Sequence, residues 1–179
     1  MGGDEHVVLD GEEVARILRR MATEILERTR GASGLGLVGI RRGGVPISQR
    51  LAEEISRSEG QNVPVGTVDI ALYRDDAATS LPDPKIGPSD VPFEVEGRHV
   101  VIVDDVLQTG RTVRAAIDCL LDYGRPKRVW LAVLCDRGGR ELPIAADFVG
   151  RAVEVPAGHV LEARLEDPEP QVIWIARKG

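Results

Sequence analysis

Two adjacent carboxylates, Asp104 and Asp105, follow directly on four β-branched residues, Val100, Val101, Ile102 and Val103. Thr109-Gly110-Arg111-Thr112 comes next, where an amphipathic helical pattern opens. A strand apolar on both sides belongs in the middle of a sheet, and its carboxyl end is where ligands bind in open α/β sheets. Two carboxylates there need cationic or hydroxylated partners, because an unpaired charge is costly to bury. Sugar hydroxyls and a magnesium ion meet that need. The backbone N–H groups and two hydroxyls of Thr109 to Thr112 can ring a phosphate, assisted by the helix dipole, and Gly110 permits a close approach. One stretch thus offers carboxylates for sugar hydroxyls and, just behind them, a nest for a phosphate. That combination fits a ribose 5-phosphate. The plainer alternative, a solvated strand-end pair with Thr109 as a helix cap, leaves the nearness of the Thr-Gly-Arg-Thr cup unexplained.

A second glycine-rich stretch is a decoy. Gly34-Leu35-Gly36-Leu37-Val38-Gly39 matches G-x-G-x-x-G, but a dinucleotide fingerprint needs a strand before it and a helix opening after it. Here the match runs into a strand, so no dinucleotide cofactor is expected.

The elements that position these residues are legible from periodicity. Val14, Ile17, Leu18, Met21, Ala22 and Ile25 recur at helical spacing after Asp10, which predicts a helix with one buried stripe, ended by Gly31 and Gly34. Leu35–Ile40 reads as a short buried strand running into the turn Arg41-Arg42-Gly43-Gly44, and Pro46, Ile47, Leu51 and Ile55 begin a second helix. Val65–Tyr73 reads as a strand, and His99–Val103 and Val129–Leu134 as two more. Between the last two, Val113, Ala116, Ile117, Leu120 and Leu121 form a helix closed by Gly124. The order is β-α-β-loop-β-α-β. It predicts an α/β fold with an open, mostly parallel sheet flanked by helices. From Arg74 to Pro92 the chain is rich in proline and aspartate and lacks an apolar period. A loop this long inside a compact chain is expected to be an active-site lid, or else a solvated arm. Past Gly150 only short strand-like pieces are visible, such as Val172–Ala176.

Composition narrows the function further. The 179 residues suit a single domain, here 1–179, and 42% hydrophobic content supports a core, so disorder throughout is excluded. Only 3% are aromatic, too few for a base-stacking platform. A net charge of -6 means that any polyanion must be met by a local basic patch. Cys119 and Cys135 lie in apolar surroundings with no C-x-x-C, so they read as small core residues. Met1–Asp10 is too polar for a signal peptide, and the apolar run Val129–Cys135 is too short to span a bilayer. A cytoplasmic protein without membrane contact is expected.

The stretch Val100–Thr112 resembles the signature of type I phosphoribosyltransferases, which bind phosphoribosyl pyrophosphate. Leu72-Tyr73-Arg74-Asp75-Asp76, Gly124-Arg125-Pro126, Asp136-Arg137-Gly138 and Arg140-Glu141-Leu142-Pro143-Ile144 resemble one subfamily, the pyrimidine operon attenuation regulators that are also uracil phosphoribosyltransferases. The likeness covers roughly Val8–Gly150 and fades past Arg151. It implies that Asp104 and Asp105 hold the ribose hydroxyls, and that Val106, Leu107, Gln108, Thr109, Gly110, Arg111 and Thr112 surround the 5-phosphate. It places Arg41, Arg42 and Gly43 at the pyrophosphate. It makes Arg74, on a flexible catalytic loop over about 74–92, a catalytic pyrophosphate contact, with a plain surface arginine as the alternative. Arg137 would lie at the ligand edge, with a structural ion pair as the alternative. Asp136–Gly150 would cover the base, in a hood that extends with the C-terminal strands over about 136–179. The implied reaction joins uracil to phosphoribosyl pyrophosphate, giving UMP and pyrophosphate, with Mg2+ held mainly by the substrate. A homo-oligomer and a messenger RNA leader are the implied macromolecular partners. A different base, or nucleotide sensing with little turnover, is the alternative function.

The RNA-facing pattern departs from the subfamily. Its usual Thr-Arg-Ile-Ala-His reads Arg19-Arg20-Met21-Ala22-Thr23 here. Gly139 and Ala145 stand where a histidine and an arginine are usual, and Arg151 where a lysine is. Arg19, Arg20, Arg140 and Arg151 are the remaining candidates for RNA contact. Arginines on phosphates position a strand without reading its bases, so weaker, more salt-sensitive RNA binding is expected. Arg42-Gly43-Gly44 likewise replaces the usual Thr-Arg-Gly, which shifts the arginine by one position.

Overall fold

The computed structural model describes residues 5–71, 89–166 and 168–176. Along the chain run β1 (His6–Leu9), α1 (Gly11–Thr29), β2 (Leu35–Ile40), α2 (Gly44–Glu59) and β3 (Val65–Val68). Then follow β4 (His99–Leu107), α3 (Arg111–Leu121), β5 (Arg128–Asp136), β6 (Phe148–Ala152), β7 (His159–Arg164) and β8 (Gln171–Ala176).

A five-stranded sheet in the order β3-β2-β4-β5-β6 forms the centre, and each neighbouring pair is parallel. Both faces of its inner strands are apolar, and successive residues alternate between them. On one side Leu35, Leu37, Val101, Val103, Ala132 and Leu134 meet α1 and α2. On the other, Val38, Ile40, Val100, Ile102, Leu131 and Val133 meet α3. This is why the strands read as continuous apolar runs rather than alternating ones.

Helix α1 buries the stripe its spacing predicts: Val14, Ile17, Leu18, Met21, Ala22 and Ile25. It starts at a capping box. Glu13 N donates to Asp10 Oδ1 at 2.9 Å, and Asp10 N donates to Glu13 Oε2 at 3.0 Å. The glycines of the decoy motif serve packing. A Cβ on Gly36 would stand 2.6 Å from the Phe93 ring, and one on Gly39 2.6 Å from Ser48 Oγ.

Three features depart from expectation. The strand foreseen over Val65–Tyr73 stops at Val68, because Ala71 N donates to the Asp69 carboxylate at 3.0 Å and Asp69 N to Ser89 Oγ at 2.8 Å. Those bonds turn the chain out of the ladder. Strand β4 continues past Val103 to Leu107, since β5 runs alongside with Asp104 opposite Val133 and Leu107 opposite Asp136. The third departure is a second, antiparallel sheet in the order β1-β8-β7. It joins residues from opposite ends of the chain, while β6, foreseen as part of the hood, extends the main sheet instead. Leu9, Val172 and Leu165 anchor the small sheet in the same apolar cluster as α1 and α2.

Candidate active site

Strand β4 carries the carboxylate pair into the carboxyl edge of the sheet. Asp104 is buried, and Asp105 is partly exposed. Asp105 N donates to Asp104 Oδ1 at 2.9 Å, and Val106 N to Asp105 Oδ1 at 2.8 Å. Burial first, then the Asp105 carboxylate beside it, hold the Asp104 pKa well above the ordinary carboxylate value. Among the described residues no group of three or more His, Cys, Asp or Glu converges on one point. The pair can supply oxygen ligands to a hard cation such as Mg2+, but the remaining ligands must come from substrate and water.

Two cavities meet at Asp105. The smaller, about 330 Å³, is lined by Asp104 through Gly110, Thr112, Val113 and Arg137, with Val160 and Leu161 of β7. The larger, about 720 Å³, is lined by Arg41, Arg42, Gly43, Val45, Pro46 and Asp105 on one side and 162–166 on the other. Val106, Leu107, Gln108, Thr109, Gly110, Thr112 and Arg137 are thus brought together around one cavity. Arg111 is an exception. Its side chain is exposed and its Nε faces Glu141 Oε1 at 3.5 Å, outside the lining of the smaller cavity. Gly110 begins α3 at φ 91°, and Arg111 N donates to Thr109 Oγ1 at 3.2 Å.

The turn Arg41–Gly44 lies between β2 and α2 and is held by absent side chains. A Cβ on Gly43 would collide with the Asp105 carboxylate, and one on Gly44 with the Val103 carbonyl. Arg41 Nη2 donates to Thr67 Oγ1 at 3.3 Å. Both arginines are exposed at the mouth of the larger cavity. Cys135, beneath the pair, is buried; burial and the Asp105 charge push its thiol up to about 12, so it is inert. Arg74 and most of the foreseen lid fall outside the described residues.

Residues 6–163 match the model of the phosphoribosyl transferase domain. The chain belongs to the phosphoribosyltransferase family. It is 50% identical to the bifunctional protein PyrR of Pelotomaculum thermopropionicum, over 97% of each chain. It is 55% identical to that of Geobacter sulfurreducens over 84% of this chain and 85% of the relative. For that of Thermus thermophilus the identity is 47% over 96% of each. Solved phosphoribosyltransferases share the fold. The hypoxanthine phosphoribosyltransferase of Trypanosoma cruzi, in complex with the product IMP, superimposes with a TM-score of 0.65 at 19% identity, covering 85% of this chain and 77% of that one. One from Staphylococcus aureus gives 0.63 at 21%, covering 85% and 78%.

The small sheet supplies part of the site that sequence reasoning missed. Val160 and Leu161 close the smaller cavity, and 162–166 wall the larger one. The available signal was the weak alternation of β7; the family likeness, expected to fade past Arg151, in fact runs through residue 163. The four arginines foreseen at an RNA face are occupied to different degrees. Arg20 pairs with Glu24 at 2.6 Å and also donates to the Gly150 carbonyl at 2.5 Å. Arg151 stands 3.8 Å from Glu13. Arg19 is exposed. Arg140 is three-quarters buried and fully engaged within the fold. Among the described residues no helix is long and apolar enough to cross a membrane.

Proposed function

We propose that this protein is a uracil phosphoribosyltransferase, acting as one domain over 1–179. The observation that carries the reading is the partly buried Asp105, shared by the cavity that holds Thr109, Gly110 and Thr112 on one side and an arginine- and glycine-lined cavity on the other. Phosphoribosyl pyrophosphate has that order of parts: a 5-phosphate, a ribose diol and a pyrophosphate. The N–H groups and hydroxyls of Thr109–Thr112 hold the phosphate. Asp104 and Asp105 take the ribose hydroxyls. Arg41, Arg42 and the N–H of Gly43 receive the pyrophosphate, as guanidinium forks suit it. Arg137 borders the ligand at the smaller cavity, and Arg74 reaches the pyrophosphate from the 74–92 loop.

In the reaction the bond from ribose C1 to pyrophosphate breaks as uracil N1 bonds to C1 and gives up its proton. No covalent nucleophile from the protein is required. Asp104 and Asp105 fix the ribose, and their charge lies beside a C1 that becomes positive as the leaving group departs. Arg41 and Arg42 stabilise the growing charge on pyrophosphate. Mg2+ carried in with the substrate would supply charge neutralisation at the pyrophosphate, and Asp104 and Asp105 are the residues that would meet it.

The likeness to bifunctional relatives supports a second activity, UMP-dependent binding of a messenger RNA leader. Its surface is the α1–β6 face, where Arg19, Arg20 and Arg151 lie. Self-association is also part of the proposal, with the exposed Leu121 and Tyr123 at the end of α3 as available apolar surface. We place the reaction in the cytoplasm, where buried free thiols such as Cys119 and Cys135 persist.

Turnover of a panel of bases with phosphoribosyl pyrophosphate tests the enzyme. Uracil is expected to give UMP and pyrophosphate in equal amounts. Turnover of another base but not uracil would refute the base assignment. Retention of a leader hairpin on a filter, with and without UMP, tests the second activity.

A further inference from the structure

The carbonyl side of the phosphate cup is covered by one segment, 137–144, which runs from the end of β5 toward β6. Arg137 N donates to the Leu107 carbonyl at 3.0 Å. Glu141 N and Leu142 N both donate to the Thr109 carbonyl, at 3.0 and 3.1 Å. Between them, Arg140 Nη1 donates to the Gln108 carbonyl at 3.0 Å. Three successive carbonyls of the cup are thereby satisfied from outside. Leu142 and Ile144 also close over Gly110, with a Cβ there only 3.2 Å from that of Ile144.

Arg140 is the centre of this strap. Its Nη1 and Nη2 fork onto Asp136 Oδ1 and Oδ2 at 2.9 and 2.6 Å, and its Nε donates to the Ile144 carbonyl at 2.8 Å. All three nitrogens are used, in a plane that only guanidinium provides. The partner carboxylate responds: the Arg140 hydrogen bonds hold Asp136 below the ordinary carboxylate range.

We infer that Arg140 is a positioning residue for the 5-phosphate site, holding the Leu107–Thr109 carbonyls outward so that the cup's N–H groups are set for the phosphate before it arrives. A peptide's N–H and C=O point in opposite directions, so pinning the carbonyls orients the amides. The ligand then does not bear the ordering entropy of the loop. This inference rests on the phosphoribosyl transfer reading for the identity of the ligand, and it removes Arg140 from the residues free to contact RNA.

The test uses Arg140→Lys, which keeps the charge but lacks the fork, and Asp136→Asn, which keeps the shape but weakens it. Binding of UMP, which carries the 5-phosphate, is measured beside binding of pyrophosphate, which belongs to the other cavity. UMP affinity is expected to fall about tenfold or more in Arg140→Lys and less in Asp136→Asn, with pyrophosphate affinity held within about twofold. In turnover, KM for phosphoribosyl pyrophosphate rises more than kcat falls, as for a lost uniform binding interaction. A merely structural role would lower melting temperature and affect both ligands alike, and that result overturns the inference. So does UMP affinity within about twofold of the parent in both variants. Amide exchange separates this from the functional reading. Glu141 and Leu142 N–H groups should exchange about tenfold faster in Arg140→Lys whether or not the parent binds UMP. Unchanged exchange overturns the strap, whereas a parent protein that binds no UMP overturns the functional reading alone.

Discussion

The two loops that flank the carboxylate pair are shaped by opposite means. On the phosphate side, 107–110 is pinned from behind by donors of 137–142, and the cavity in front is small, about 330 Å³. On the arginine side, 41–44 is shaped by what is missing: the chain passes so close to Asp105 and Val103 that only glycine fits at Gly43 and Gly44. The cavity there is about 720 Å³, with two exposed arginines at its mouth. The contrast fits the proposed tasks. A phosphate that stays attached throughout the reaction suits a preset cup, whereas a group that must depart suits a roomier one. Asp105 belongs to both.

The sharpest way to break this comparison is at the shared residue. Asp105→Asn, and separately Asp104→Asn, are expected to cut turnover by about 2–4 kcal/mol of transition-state stabilisation, the scale of one lost preorganised group. Steady-state kinetics on the folded variants measures it, and near-parental rates in both would remove the carboxylates from the mechanism. Gly43→Ala comes next. Its new methyl meets the Asp105 carboxylate and displaces it, so kcat/KM should fall by roughly tenfold to a hundredfold, the scale of an ångström-level misplacement. Calorimetry should find pyrophosphate binding weakened more than UMP binding, the mirror image of Arg140→Lys. Equal losses for both ligands would show that the two loops are not independent.

A smaller effect concerns stability. Folding raises the Asp104 pKa above its ordinary 3.8. The protonated form thus stabilises the fold fully below that value, and the contribution is lost as pH rises through the raised one. Near neutral pH the unliganded parent therefore lacks stability that it has in acid. Asp104→Asn should therefore melt higher than the parent near pH 7, by roughly 2–4 °C for about 1 kcal/mol in a chain of this size, with the gap closing in acid. A thermal scan across pH checks this, and a variant that melts lower throughout would contradict it. Smallest of all is the RNA face. Gly139→His with Ala145→Arg should raise leader-RNA retention several-fold in filter binding. The gain is limited by strain, since Gly139 sits at φ 83° and a side chain there costs about 1–2 kcal/mol. No gain would mean that these two positions do not face RNA.

Much of this was legible because its causes are local. The apolar period of α1, the β-branched run before Asp104 and the glycine at the α3 start each carry their own geometry, and they located both loops. What stayed hidden depends on contacts between distant segments. The ladder with β5 extends β4 to Leu107, and nothing within Asp104–Leu107 announces that. The small sheet pairs His6 with Trp174, so the strand-like piece Val172–Ala176 could be seen but not the distant strand it pairs with. The partners of Arg140 stayed hidden for the same reason. As a lone arginine it resembles a phosphate contact, and only the fold brings Asp136 and the Gln108 carbonyl to it.

The most direct measurement is a crystal structure of this protein with UMP and pyrophosphate bound together. The expected density has the 5-phosphate on the N–H groups of Thr109–Thr112, the ribose over Asp104 and Asp105, and pyrophosphate against Arg41–Gly43. The loop 107–110 should superimpose on its unliganded position, while 41–44 adjusts. A phosphate bound elsewhere with the Thr109–Thr112 cup empty, or a cup that forms only when the phosphate arrives, would contradict the account.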